Sequence, residues 1–180
     1  RTRKNPISDG LASTAIRLLG QNLERVLADG NDLAARSAML QGSLMAGIAF
    51  VNASVAAIHG LAYPLGARFH VPHGHSNALV MAPVIRFNLP AAQPLYAELA
   101  THLLGEQFND EHAAASAFVL EMERLVSCSG LETRLSQLNI PESAIASMAD
   151  EVVTSIRRLI ERNPADMSRA DVEAIYRSIF

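Results

Sequence analysis

The sequence predicts an all-α fold of roughly seven to nine helices, on three observations. Apolar residues recur at three- to four-residue intervals almost from end to end, no stretch alternates apolar and polar as a half-buried strand would, and glycine and proline fall mostly at the ends of the periodic stretches. Ser8 or Asp9 can cap a first helix carrying Leu11, Ala15, Leu18, Leu19, Val26 and Leu27 on one face, with Gly30 ending it. Asn31 or Asp32 can start the next, from Leu33 to about Phe50, where Gly42, Ser43, Ala46, Gly47 and Ala49 would let a neighbouring helix approach closely. A third helix is expected from about Ala53 to Ala62, ending near Pro64, and a fourth from about Gly74 to Phe87. Pro94 suits the first turn of a fifth, which runs to Leu104. Glu111 to Ser127 reads as a helix with Phe118, Met122 and Val126 on its apolar face, stopped by Gly130. A short helix over Leu131–Leu138, a longer one from Pro141 to Glu161 and a last one capped by Ser168 complete the series.

Composition narrows the class further. The 180 residues are 49% hydrophobic and 18% charged, enough for one domain with a sizeable core, so positions 1–180 are read as a single helical domain. A net charge of −3 with scattered lysines and arginines favours neither nucleic acid nor an anionic membrane surface. No apolar run reaches the roughly 20 residues that span a bilayer. The longest, Leu40 to Ala57, is interrupted by Gln41 and Asn52 and suits a core helix. The single cysteine, Cys128, cannot form an internal disulfide, which fits a reducing cytoplasm and a buried or helix-end thiol. The chain opens without methionine, at Arg1-Thr2-Arg3-Lys4, and that start is expected to be a boundary inside a longer protein.

The chemistry concentrates between Ile58 and Asn88, which hold four of the six histidines. His59 and His73 stand fourteen residues apart with Pro64 and Pro72 between them, so a helix end facing a helix start could bring two imidazoles to one point. Tyr63 lies four residues after His59, on the same helical face. His70 and His75 compete with His73 for any ligand role, since alternate residues of an extended loop point apart. His102 and His112 stay at the level of ordinary surface or core histidines. Imidazole suits zinc, iron, nickel or copper, but two ligands alone hold a metal weakly. No His-Glu-x-x-His, Cys-x-x-Cys, EF-hand loop or helical Glu-x-x-His pair supplies the rest, so the site is incomplete within the chain. Gly60, Gly66 and Gly74 follow no phosphate-loop spacing. A helix beginning at Gly74 would offer free N–H groups to an anion, although His75, Ser76 and Asn77 could equally serve only that helix start.

The same stretch resembles the second signature of the iron-containing alcohol dehydrogenase family. The resemblance runs through His59-Gly-Leu-Ala-Tyr63-Pro64-Leu65-Gly66, Pro72-His73-Gly74, Ser76-Asn77-Ala78 and Arg86-Phe87-Asn88. Asn5-Pro6 with Ser8-Asp9 resembles the family's link after its first metal-binding helix, and Asn163-Pro164 with Ile175-Tyr176 resembles its C-terminus. The resemblance implies a helical domain of the dehydroquinate synthase-like type, lacking the family's N-terminal dinucleotide-binding domain. It implies a metal, Fe²⁺ or Zn²⁺, held by His59 and His73 together with an Asp and a His upstream of Arg1. It further implies NAD(P) on the missing domain, small alcohols or aldehydes as substrates, and a homodimer; the chain by itself should be inactive. Tyr63 stands where many members carry a histidine near the nicotinamide, and is expected to orient substrate or relay a proton. Met81-Ala82-Pro83 departs from the usual Leu-Pro-His. A maleylacetate-reductase-like activity without metal, or a helical dimerisation module without chemistry, are the alternatives.

Overall fold

The computed structural model describes residues 5–180, and every described element is helical, so the fold is all-α. The expected boundary at Arg1–Lys4 lies outside the described residues. The chain divides into two compact units, Arg1–Ser54 with Ala92–Ser129, and Val55–Ala91 with Gly130–Phe180.

The first unit is built on an antiparallel hairpin of α1 (Pro6–Ala28) and α2 (Leu33–Ala53). The cap of α1 is Asn5 rather than Ser8 or Asp9. Its side chain accepts from the Ser8 N–H at 2.9 Å, Ser8 returns a bond to Asn5, and Pro6 occupies the first helical position. The reason is positional: proline pre-sets the first turn, which leaves Ser8 to serve as the reciprocal third residue. Asp32 caps α2 by accepting from the Ala35 N–H at 2.9 Å. Small residues bring the two helices together, with Ala15, Ala35, Gly42 and Ala49 all buried. A Cβ at Gly42 would lie 2.9 Å from Leu19 Cγ, so only glycine permits that approach. α2 carries one charged residue, Arg36, and leaves Leu33, Leu40, Leu44 and Val51 exposed on its outer side.

α4 (His73–Leu104) gives its second half to this unit, and α5 (Glu111–Cys128) packs there through Phe118, whose ring lies 5.0 Å from that of Tyr96. Arg124 ties α5 to Glu24 of α1 at 2.6 Å. Cys128 ends α5 as an exposed thiol, the helix-end choice of the two expected for it. No single described helix is long and apolar enough to cross a membrane.

The second unit holds α3 (Ala57–Phe69), the first half of α4, a 3₁₀ turn (Ser136–Leu138), α6 (Ala144–Thr154), α7 (Arg157–Ile160) and α8 (Arg169–Ser178). Its core joins Leu61 and Leu65 of α3 and Val80 and Val84 of α4 to Ile145, Met148 and Val152 of α6 and Val172 and Tyr176 of α8.

Four sequence expectations are corrected here. α3 continues through Pro64 to Phe69, because Pro64 is fully buried and the burial of Leu61, Ala62 and Leu65 around it offsets the lost N–H. It ends where His70 turns left-handed (φ 57°) and gives its N–H to the Gly66 carbonyl. The two helices expected over 74–104 are one, α4, with Pro83, Pro90 and Pro94 inside it. Apolar burial holds it along its length, with Leu79 and Val80 before the prolines, Val84 and Ile85 between Pro83 and Pro90, and Tyr96, Ala100 and Leu103 after them. The helix expected from Pro141 to Glu161 is broken instead. The Ile156 N–H reaches five residues back to the Glu151 carbonyl, and the Thr154 hydroxyl takes the Asp150 carbonyl, which ends α6. Only the 3₁₀ turn forms in 131–138. Ser168 does cap α8, reciprocally with Asp171.

Tyr176 spans the second core. Its buried hydroxyl donates to the Leu61 carbonyl at 2.6 Å, in the turn of α3 that Pro64 opens. Burial pushes the Tyr176 phenol well above its ordinary range, so it stays a donor at all working pH values. Tyr176→Phe keeps the ring and removes that donor, and is expected to cost about 1–2 kcal/mol in urea unfolding.

Candidate metal centre

α3 and the start of α4 place three side chains of the second unit together. His59 and Tyr63 sit one turn apart on α3, with ring centres 6.4 Å apart and nearly perpendicular planes. Left-handed His70 closes α3, and after Val71 and Pro72 the chain re-enters helix at His73, the first residue of α4. The Pro72 carbonyl accepts the Ser76 N–H at 2.8 Å and so opens α4. This short link sets the His73 ring 5.2 Å from that of His59 and 6.3 Å from that of Tyr63. The link runs from Phe69 to His73, not from Pro64 as the sequence suggested.

The remaining histidines separate from this cluster. His75 is buried and gives its Nε2 proton to the Glu132 carbonyl at 2.7 Å, so it serves the core. His73 and His75 are two apart on a helix and therefore face different sides. His70 caps α3 and is exposed. His102 and His112 belong to the first unit, where His112 Nδ1 lies 3.2 Å from Gln93 Oε1. Ser76 donates its hydroxyl to the Val71 carbonyl, as the plain helix-start reading expects. Asn77 does more than that reading allows, since its Nδ2 lies 3.1 Å from His73 Nε2. The signal for it was present as the i+4 position after His73.

The donor set fits a metal, in part. Two imidazoles bound to one tetrahedral ion through bonds of about 2.1 Å hold their ring centres about 5 Å apart. His59 and His73 meet that separation. Burial first, and then the charge His73 would carry beside it, hold the His59 imidazole below its ordinary range, which keeps its lone pair available. Among the described residues no group of three or more His, Cys, Asp or Glu converges on one point. The pair by itself would supply two donors of a coordination shell.

The profile of the Fe-containing alcohol dehydrogenase family, C-terminal part, matches residues 1–180. The chain belongs to the iron-containing alcohol dehydrogenase family. Long-chain-alcohol dehydrogenase 1 of Geobacillus thermodenitrificans is 41% identical to it, over 98% of this chain and 45% of that protein. The 1,3-propanediol dehydrogenase of Klebsiella pneumoniae is 33% identical, over 98% of this chain and 45% of that protein. The chain thus spans about half the length of these curated relatives. Among solved iron-containing alcohol dehydrogenase folds, a 1,3-propanediol oxidoreductase superposes with a TM-score of 0.92 at 32% identity, covering 99% of this chain and 47% of that one. An alcohol dehydrogenase from Oenococcus oeni gives 0.90 at 27%, covering 99% and 46%.

Proposed function

We propose that this chain is the metal-binding helical half of a nicotinamide-dependent alcohol dehydrogenase, and that His59 and His73 are two of the protein ligands to Fe²⁺ or Zn²⁺. The observation that carries the reading is the 5.2 Å convergence of these two rings in a chain of this family. The reaction is hydride exchange between a small alcohol or aldehyde and NAD(P), with the nicotinamide held by an N-terminal dinucleotide-binding domain. The relatives support the substrate class, since they are dehydrogenases of long-chain alcohols and of 1,3-propanediol.

His59 and His73 orient the site through two imidazole donors whose spacing is set by the short turn between α3 and α4. When bound, the metal supplies Lewis-acid polarisation of an alcohol oxygen. Tyr63, 41% exposed beside both rings, holds the substrate hydroxyl or passes its proton to solvent. The phenol hydroxyl does this as a hydrogen-bond donor.

The test is the full-length protein, assayed by nicotinamide absorbance with primary alcohols before and after dialysis against a chelator. Removal of metal is expected to lower turnover at least about a hundredfold, with recovery on adding Fe²⁺ or Zn²⁺. Turnover indifferent to chelation would remove the metal from the proposal. No hydride exchange with any alcohol or aldehyde, in metal-loaded protein, would remove the function.

A further inference from the structure

Asn77 sits on α4 one turn after His73, and its amide is held in a single orientation. Nδ2 donates to the His73 carbonyl at 2.9 Å, so the nitrogen and not the oxygen must face the start of the helix. The same nitrogen lies 3.1 Å from His73 Nε2 and 3.5 Å from His73 Nδ1. A donor on the in-plane lone pair of one imidazole nitrogen would sit about 5 Å from the other nitrogen. Near-equal distances to both nitrogens therefore place the amide against the face of the ring, as an N–H···π contact. The in-plane lone pair of His73 is left free.

A second observation points the same way. Asn77 Oδ1 is buried with no hydrogen-bond partner. Turning the amide over would set that oxygen against the His73 carbonyl oxygen, two acceptors at hydrogen-bond distance, so the orphaned oxygen is retained. A buried polar atom left unsatisfied is uncommon and calls for a reason. Here the amide fixes the plane of one ring while leaving its coordinating edge open.

We infer that Asn77 is a positioning residue for His73, whose side-chain amide clamps the imidazole by its face and pre-sets the direction of its free nitrogen toward the point shared with His59. This rests on the two-histidine metal reading and adds a residue to it. Partners that orient a ligating histidine typically affect metal affinity ten- to a hundredfold.

The experiment is a Co²⁺ titration of the full-length protein, followed by visible ligand-field absorption, on the wild type and on Asn77→Ala, Asn77→Leu and His59→Ala. Asn77→Leu keeps the size of the side chain and a good helix former, so it reports the loss of the amide even if Asn77→Ala loosens the helix start. Both Asn77 variants are expected to bind Co²⁺ about tenfold more weakly, with shifted absorption bands and a melting temperature close to wild type. Wild-type affinity and bands in Asn77→Leu, while His59→Ala loses the ion, would overturn the role of Asn77 alone. Unchanged Co²⁺ binding in His59→Ala would overturn the two-histidine reading beneath it.

Discussion

Asn163→Ala is expected to destabilise the second unit by about 2–4 kcal/mol in urea or guanidinium unfolding. Asn163 and Asn88 are almost fully buried, and their amides face each other reciprocally. Asn88 Nδ2 donates to Asn163 Oδ1 at 2.8 Å, Asn163 Nδ2 donates to Asn88 Oδ1, and Asn163 also bonds the Ala165 carbonyl. The pair clasps the middle of α4 to the turn before α8, across 75 residues of chain. Truncating one member leaves a buried donor and a buried acceptor of the other without their partner, and each such group costs about 1–3 kcal/mol. Removing both members together is a different experiment. Asn88→Leu with Asn163→Leu leaves apolar side chains of similar size, so the double variant should lose less than the sum of the singles. An additive cycle would show that the two amides do not support one another.

His73→Ala and His59→Ala are each expected to weaken metal binding in the full-length protein by at least about a hundredfold, more than the loss of any outer partner. The size follows from geometry. The two rings lie 5.2 Å apart, and as the proposed ligands each would give the ion a lone-pair nitrogen that water replaces poorly. Equilibrium dialysis with Zn²⁺ reads the effect, and an affinity within threefold of wild type for either variant would sink the ligand assignment.

His59 also carries a pH signature in the metal-free protein. His59 has a folded-state pKa below its unfolded value of about 6.5, so the unfolded chain takes up the proton first as pH falls. Its contribution to stability is complete above about pH 6.5 and declines below that, levelling only under the folded-state pKa. Urea midpoints measured from pH 7.5 to pH 5 should therefore fall in the metal-free protein, and His59→Gln should flatten that slope. A slope unchanged in His59→Gln would assign it to other groups.

Much of the candidate site was legible in the sequence, because what it needs is local. His59 and Tyr63 share a helical face at i, i+4 whatever else the chain does. The fourteen-residue spacing to His73 with Pro72 just before it demanded a turn and a new helix start. Asn77 was legible only as a helix-start residue, since its use depends on where the His73 ring lies. Asn88, Asn163 and Tyr176 stood out only as positions of the resemblance, with no role attached. Their contacts join positions 75 and 115 residues apart, and no local pattern encodes such pairings.

The sequence by itself determined that the chain is helical, that polar residues such as Asp32 and Ser168 start helices, and that imidazoles gather between Ile58 and Asn88. These are consequences of a 3.6-residue period, side-chain capping and short spacing, all of which act within a few turns. Tertiary structure decided where α3 and α6 stop and that α4 runs on unbroken. Pro64 reads as a helix end and Pro94 as a helix start in isolation, and each lies inside a helix because burial on both sides outweighs one missing hydrogen bond. The stretch from Pro141 to Glu161, with a favourable start, breaks because Ile156 and Ile160 must turn toward the face of α3 that Gly60 leaves open. Local chemistry thus proposed the elements, and the burial available from distant parts of the chain set their lengths.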